Sequence, residues 1–407
     1  MTNTNNAAVI EITASSVKFA FGYSDGKKPI LLQYVKKDFS DPEIPGTTPN
    51  EKIKSILSML RQFTLEKQNV ELDVATVNVV MPSKGFICYQ REMTTNVRSQ
   101  DKVVDNYDIE MLTNMIANEQ IPENNAIVNI IPSLYYTSDN TTYTEPPIGI
   151  NSANLTMKAL IHTIPKREMD FNTSMIESSG YRIVSKDVSC YCAAKMLACD
   201  HKEYSSYFYI DMGATNTTVT LVHNFRPFIS LTFQIGGVNL TNDIALAFGI
   251  KMIDAEKIKK TYGYNDRITV FETPLVSYMD KSGQKKDFYQ RQLNQVIENY
   301  FKNLCTQIKN SIDVMVGRAT ESNPSAASSF AILPIVFGGS ASKMNGIKTM
   351  LSDVTAGRDS LFYVPSVVGA SDPGATNVLG MILAQADKVG TLQDNNTGFS
   401  SLSRDRK

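Results

Sequence analysis

Asp211 stands at the end of an apolar run, Tyr207-Phe208-Tyr209-Ile210, and is followed by Met212, Gly213, Ala214, Thr215, Asn216 and Thr217. A carboxylate at a strand end can hold a hydrated Mg²⁺, which takes one or two protein oxygens and completes its shell with water and phosphate. A turn of small residues can bring backbone N–H groups close to an anion. From this stretch alone an ordinary hairpin, whose Asp and Thr side chains bond only their own turn, stands equally open. The N-terminus repeats the design. Ala8–Gly22 reads AVIEITASSVKFAFG: an apolar strand, acidic Glu11, small residues from Thr13 to Ser16, then an alternating strand. Two such hairpins half a chain apart point to two similar lobes facing one phosphate chain. A third stretch, VFGGSASKMNG at Val336–Gly346, sets Gly338, Gly339 and Ser340 after a strand. Glycines there let backbone approach a flat ligand closely.

The remaining chain supplies elements to position these three turns. Ile30–Lys36 reads as a strand, Asn50–Glu66 as an amphipathic helix capped at Asn50, and Leu72–Val80 as a returning strand. Pro82–Ile164 has a different texture. It contains strands at Phe86–Met93, Ala126–Pro132 and Leu155–Thr163 and a helix at Tyr107–Asn118, with no phosphate-type turn. It reads as a small α+β insert, an interaction module outside the site. Lys166–Ser179 and Ser189–Cys199 are helices leading into the Asp211 hairpin. Beyond it come the strand Phe228–Gln234, the pair Gly236-Gly237, and a helix stopped by Gly249. Asp254–Tyr262 is helical, with Glu256 and Lys259 on one face. Asp287–Gly317 is a long helix and Ala319–Ser329 a small-residue linker. The strand Pro334–Gly339 precedes a helix at Met344–Leu351, and Ser371–Ala386 is the last helix.

Bulk properties exclude several classes. A chain of 407 residues with 42% hydrophobic and 20% charged residues is ordinary globular protein of several domains. A net charge of −1 gives no electrostatic footprint for nucleic acid. Met1–Asn6 has no basic or apolar signal region, and no run nears the roughly 18 apolar residues that span a bilayer. The expectation is a cytoplasmic protein. Five scattered cysteines make no disulfide framework or zinc spacing, and the three histidines are isolated.

The two hairpins and the Gly-Gly-Ser turn together resemble the two phosphate motifs and the adenosine motif of the actin-like ATPases. Four stretches narrow the resemblance: IIPSLYYTSD, EPPIGINSANLTMKALIHTI, DMGATNTT and GGVNLTNDIALAFGIKMIDAEKIKKTYG. They resemble the bacterial cell-division protein FtsA family, in order and over most of the chain except its extreme C-terminus. The implied fold is α/β, an actin-like two-lobed fold with duplicated ribonuclease H-like cores and an FtsA-type inserted subdomain. The implied division is first-lobe core (1A) over residues 1–81, 165–203 and 365–390, and a 1C-type insert over 82–164. The second-lobe core (2A) takes 204–240 and 331–364, the outer subdomain (2B) 241–330, and a disordered tail 391–407.

The resemblance also implies roles. Ser15 and Ser16 fall in the first phosphate turn. Asp211 takes the place of the Mg²⁺-associated aspartate, acting through water, with Gly213, Ala214, Thr215, Asn216 and Thr217 around the phosphates. Gly236 and Gly237 cap the second side of the nucleotide. Glu256 and Lys259 match an acidic and basic pair near ribose and base, the bland alternative being a solvated ion pair. Gly338, Gly339 and Ser340 match the adenosine turn. ATP and Mg²⁺ are the implied cofactors. The implied activity is polymerisation through the 82–164 insert and linkage of FtsZ filaments to the cytoplasmic membrane at the division site. FtsZ's C-terminal tail would dock near Arg291 on the Arg291–Tyr300 helix.

Glu11, Thr13 and Thr215 depart from the family pattern, where the first turn opens with aspartate and glycine and the second carries another glycine. ATP binding with at most slow turnover is the expectation. Two other readings share the ATP fold: a PilM-like pilus-assembly scaffold, and a sugar or acetate kinase. The end, DKVGTLQDNNTGFSSLSRDRK, lacks a continuous apolar face. Membrane attachment is therefore expected to be indirect, or to need a helix beyond this sequence.

Overall fold

The computed structural model describes residues 6–65, 70–267, 273–279, 284–322 and 330–385. The tail from 387 onward and most of the proposed linker lie outside these. In the first lobe β1 (Ala7–Ile12), β2 (Ser16–Ser24) and β3 (Pro29–Asp38) form an antiparallel meander. Every residue of β1 is buried. Val9 packs into one core while Ala8 and Ile10 face another, as the period-2 alternation of a strand covered on both faces requires. Helix α1 (Pro49–Arg61) follows, then the hairpin β4 (Gln62–Leu65) and β5 (Val70–Asp73), and β6 (Thr76–Met81), which lies parallel to β1.

The cap of α1 is Thr48, not Asn50. Pro49 takes the first helical position, and Glu51 reaches back to the N–H groups of Thr47 and Thr48 while Thr48 Oγ1 accepts from the Glu51 N–H. Those donors hold the Glu51 carboxyl down at about 2. The helix stops at Arg61 rather than Glu66 because the hairpin β4–β5 begins at Gln62.

The insert consists of β7 (Ile87–Asn96), α2 (Asn106–Ala117), β8 (Asn125–Thr137), β9 (Thr142–Tyr143) and β10 (Asn154–Pro165). It has a core of its own, in which Leu112, Ile116, Tyr135 and Met157 meet. Helix α3 (Lys166–Ser178), β11 (Arg182–Val188) and α4 (Ser189–Asp200) return to the first lobe.

The second lobe opens with β12 (Tyr207–Met212), β13 (Thr217–His223) and β14 (Arg226–Phe233). Then come α5 (Gly237–Phe248), α6 (Met252–Tyr262), the hairpin β15 (Val276–Met279) and β16 (Lys285–Phe288), and α7 (Gln290–Ser322). Gly249 ends α5 in the left-handed region. Strand β17 (Ile335–Gly338) leads into a 3-10 turn at Ser340–Lys343 and two short helices, α8 (Ile347–Met350) and α9 (Ser352–Thr355), then β18 (Ser360–Phe362). The helix expected at Met344–Leu351 is thus shortened to Ile347–Met350. Gly346 has a φ of +75°, and a side chain there would collide with Tyr264. A 3-10 turn at Pro373–Ala375 starts α10, residues 376–385.

The duplication is visible in the sheets. The first lobe runs β11-β6-β1-β2-β3 and the second β18-β17-β12-β13-β14, with the same parallel and antiparallel pairings. Helices α4 and α10 fill the layer between the two sheets, where Val9, Cys192, Leu197, Tyr207, Tyr209 and Leu379 meet. The insert is joined to the second lobe as well as to the first in sequence. Strand β7 pairs with β14 through Ile87 and Ile229, so the second sheet continues into β7-β10-β8-β9.

Candidate functional site

Strands β1 and β12 bring Glu11 and Asp211 to the middle of the molecule, each at the outgoing end of the first strand of its hairpin. Glu11 is opposite Lys18 in the β1–β2 register. Both are buried, and Lys18 Nζ donates to Glu11 Oε2 at 2.7 Å. Asn377 Nδ2, from α10, donates to Glu11 Oε1 at 2.7 Å. Both oxygens of Glu11 are therefore committed within the first lobe.

Asp211 is half-buried, and no donor among the described residues reaches its carboxylate. Burial pushes its pKa up to about 6, against the attraction of Lys18 and with the repulsion of Glu11. An unsatisfied carboxylate in a low-dielectric site is costly unless a cation or donor arrives.

The first turn, Thr13 to Ser16, is occupied by its own side chain. Thr13 Oγ1 accepts from the Ser16 N–H at 3.0 Å and the Ser15 N–H at 3.4 Å, and lies 2.9 Å from Ser16 Oγ. Thr13 N–H donates to the Ser16 carbonyl. The backbone of Thr13 has no positive φ, so threonine fits here without strain.

The second turn differs. Gly213 N–H donates to the Asn216 carbonyl, while the N–H groups of Ala214, Thr215 and Asn216 carry no hydrogen bond to another described residue. Three consecutive open donors form an anion nest. Thr217 Oγ1 donates to the Ile235 carbonyl, so Thr217 supports the turn from behind. The N-terminus of α5 does the same. Gly237 N–H donates to the Gly213 carbonyl and Val238 N–H to the Ala214 carbonyl. A side chain at Gly236 would run into the Ala214 carbonyl and the Asn216 nitrogen, whereas Gly237 has ordinary clearance toward Lys259 and Ala341. Gly236 is needed for packing of the turn; Gly237 faces the cleft.

Glu256 and Lys259 form an ion pair at 2.6 Å, and Lys259 also donates to the Gly237 carbonyl (2.9 Å) and Thr241 Oγ1 (2.7 Å). Thr241 Oγ1 also donates to Glu256, and Lys260 lies 3.2 Å from it. Burial raises the Glu256 carboxyl, but the bonds from Lys259 and Thr241 outweigh it and hold the group below its ordinary value. The pair is built into the α5–α6 junction rather than left in solvent.

At the Gly-Gly-Ser turn, Gly339 has a φ of +82° and its missing side chain faces the Asp211 carboxylate and Met212; that of Gly338 faces the Tyr209 hydroxyl. Both glycines are required by the second lobe's own packing, so a bulky residue at Gly339 reports on folding before it reports on a ligand. Ser340 meets Gly374 of the first lobe, and Lys343 pairs with Asp372 at 2.8 Å. Burial raises the Asp372 carboxyl, and Lys343 with the Gly374 N–H brings it below its ordinary value.

The Asp211–Thr217 turn therefore meets Gly236–Val238 and Gly339, Lys259 reaches Gly237, and Lys18 and Glu11 of the first lobe lie close enough to act on the Asp211 charge. Arg291 does not join them. It is exposed at the start of α7, whose inner face buries Leu293, Asn294, Ile297 and Tyr300. Lys18, Asn377 and Thr241 were missed. Lys18 had a signal, a lone charge in the apolar alternation of β2; Asn377, 366 positions from Glu11, had none.

The family model for "Cell division protein FtsA" matches residues 208–380, taking in the second turn, α5, α6 and the Gly-Gly-Ser turn. Over these residues the chain is similar to the FtsA family. The FtsA protein of Enterococcus hirae is 22% identical over 333 residues, covering 81% of this chain and 72% of its own. Among solved structures, a chain of a PilM-PilN type IV pilus biogenesis complex has a TM-score of 0.57 at 14% identity, covering 93% of this chain and 98% of that one. MreB5 of Spiroplasma citri bound to ADP has a TM-score of 0.52 at 12% identity, covering 96% and 99%. These likenesses show the actin-like ATPase fold that FtsA was expected to bring.

Proposed function

We propose that the chain is an ATP-binding, actin-like cell-division protein that polymerises and links FtsZ filaments to the cytoplasmic membrane. The observation that carries the nucleotide part is Asp211, a half-buried carboxylate without a protein donor, beside three open N–H groups at Ala214–Asn216. Carboxylate and nest fit a hydrated divalent cation and the phosphates it accompanies. Asp211 would hold Mg²⁺ through water, and the metal when bound neutralises phosphate charge. Gly338–Ser340 with Glu256 and Lys259 would take ribose and base. The ADP carried by the Spiroplasma MreB5 structure supports a nucleotide in this fold.

Turnover is slow in this reading. Phosphoryl transfer depends on positioning, and Glu11, the other carboxylate of the cleft, is fully engaged by Lys18 and Asn377. The division role rests on the FtsA relatives. The 82–164 insert makes the filament contact, and the FtsZ tail docks at the start of α7, with exposed Arg291, Lys285 and Lys286 as its cationic rim. Among the described residues no helix is long and apolar enough to cross a membrane; in this reading attachment goes through a partner or through residues outside those described.

The second reading, a pilus-assembly scaffold, is favoured by the near-complete overlap with the PilM chain. Pull-down of the 407-residue chain against an FtsZ tail peptide and a type IV pilus inner-membrane tail separates the two. Capture of the FtsZ peptide, lost in Arg291→Glu, is expected. Capture of only the pilus tail overturns the division reading, and phosphorylation of any member of a sugar panel overturns both.

A further inference from the structure

The first turn has spent all but one of its backbone N–H donors on itself, and what this means for a ligand rests on the nucleotide reading above. Thr13 Oγ1 accepts from the N–H groups of Ser15 and Ser16, and Thr13 N–H is bonded to the Ser16 carbonyl. Only Ala14 N–H is left without an acceptor among the described residues of this turn. The nearby cation is committed too, since Lys18 sits 2.7 Å from Glu11. Across the cleft the second turn offers Ala214, Thr215 and Asn216. The Gly-Gly-Ser turn and the second turn belong to one lobe. In the nucleotide reading, base and first phosphates lie on that lobe and the terminal phosphate would be the part that reaches the first.

We propose that Thr13 is a specificity residue. By holding the N–H groups of Ser15 and Ser16 it denies the terminal phosphate these two donors, and the chain binds a nucleoside diphosphate about as tightly as a triphosphate. Charge-assisted bonds from backbone N–H to phosphate are the strong class of hydrogen bond. Two that are missing remove the usual advantage of the extra phosphate. The effect is chemical rather than conformational, because Thr13 has no positive φ and its hydroxyl alone occupies the donors.

The test is titration calorimetry of the full chain with Mg·ADP and Mg·ATP, with thermal unfolding to verify folding of each variant. Wild type is expected to hold the two nucleotides within about threefold. Thr13→Gly and Thr13→Val, which both remove the hydroxyl, shift the ratio toward ATP by about tenfold. Thr13→Ser, which keeps the hydroxyl, retains the wild-type ratio. A wild type that prefers ATP by about tenfold or more, or a ratio unmoved in both Gly and Val variants, overturns the assignment. Wild type binding neither nucleotide while Thr13→Gly binds ATP supports it in a stronger form. If none of the four proteins binds either nucleotide, the nucleotide reading itself fails and Thr13 falls with it.

Discussion

The two hairpin turns share a topology and differ in what they have left to offer. In the β1–β2 turn a threonine hydroxyl satisfies the backbone, and the adjoining carboxylate is closed by a lysine and an asparagine. In the β12–β13 turn three N–H groups and the Asp211 carboxylate stay open, and the support comes from behind, through Gly236–Val238 and Thr217. The duplicated backbone therefore does not by itself make a phosphate site. What decides is whether a side chain within reach competes for the turn's own donors. The FtsA family match includes the second turn, and the first lies outside it.

The comparison breaks most visibly at Lys18. Removing it by Lys18→Met leaves Glu11 buried with Asn377 as its remaining partner. Loss of one member of a buried pair costs about 3–5 kcal/mol. Urea unfolding should register that loss, and Glu11→Gln in the same chain should recover most of it. An unchanged midpoint would mean the first lobe does not depend on its closed cluster.

Asp211→Asn should act in the opposite sense on stability. The folded-state pKa of about 6 lies above the ordinary 3.8. The protonated group thus favours the fold below pH 3.8, and that contribution is lost as pH rises through about 6. At neutral pH the ionised carboxylate burdens the fold by up to about 3 kcal/mol. The asparagine variant should melt higher than wild type at pH 7.5, gain nothing at pH 3.5, and bind Mg·ATP far more weakly. Wild-type affinity for Mg·ATP should fall as pH drops through about 6, since the metal requires the ionised form. A variant that melts lower at pH 7.5 would refute the assignment of Asp211 as an unsatisfied charge.

A smaller effect separates the two glycines behind the second turn. Gly236→Ala should destabilise by about 1–3 kcal/mol, because the added carbon meets backbone that cannot step aside. Gly237→Ala should stay within about 0.5 kcal/mol in stability, its neighbours lying at ordinary distances. Equal losses would show that the turn is not held by close approach at Gly236.

The fold was largely legible because each hairpin declares itself locally. An apolar run, one acid and a cluster of small residues suffice to place β1–β2 and β12–β13, and the second copy turns a common pattern into a specific one. The Asp211–Thr217 turn and Gly236–Gly237, which the structure packs together, were visible for the same reason, since small residues mark both. What escaped were contacts made across distance. Thr13 stood out only as a departure from the family's glycine, whereas the structure shows a hydroxyl competing for N–H groups. Asn377 sits in an unremarked stretch of the last helix and becomes a partner of Glu11 only through tertiary packing. The joint between β7 and β14 could not be anticipated either, since Ile87 and Ile229 carry no mark beyond being apolar.

Glu11 and Asn377 are separated by 366 positions, and Gln385 reaches back to Ser185. On a ribosome the first hairpin emerges 366 positions ahead of its asparagine. Throughout that interval Glu11 has Lys18 but lacks its second donor, and the layer between the sheets lacks α10. The long-range contact that completes the first lobe has to wait for α10. A chain interrupted between β18 and α10 would thus carry both turns, but not the helix that packs between the two sheets.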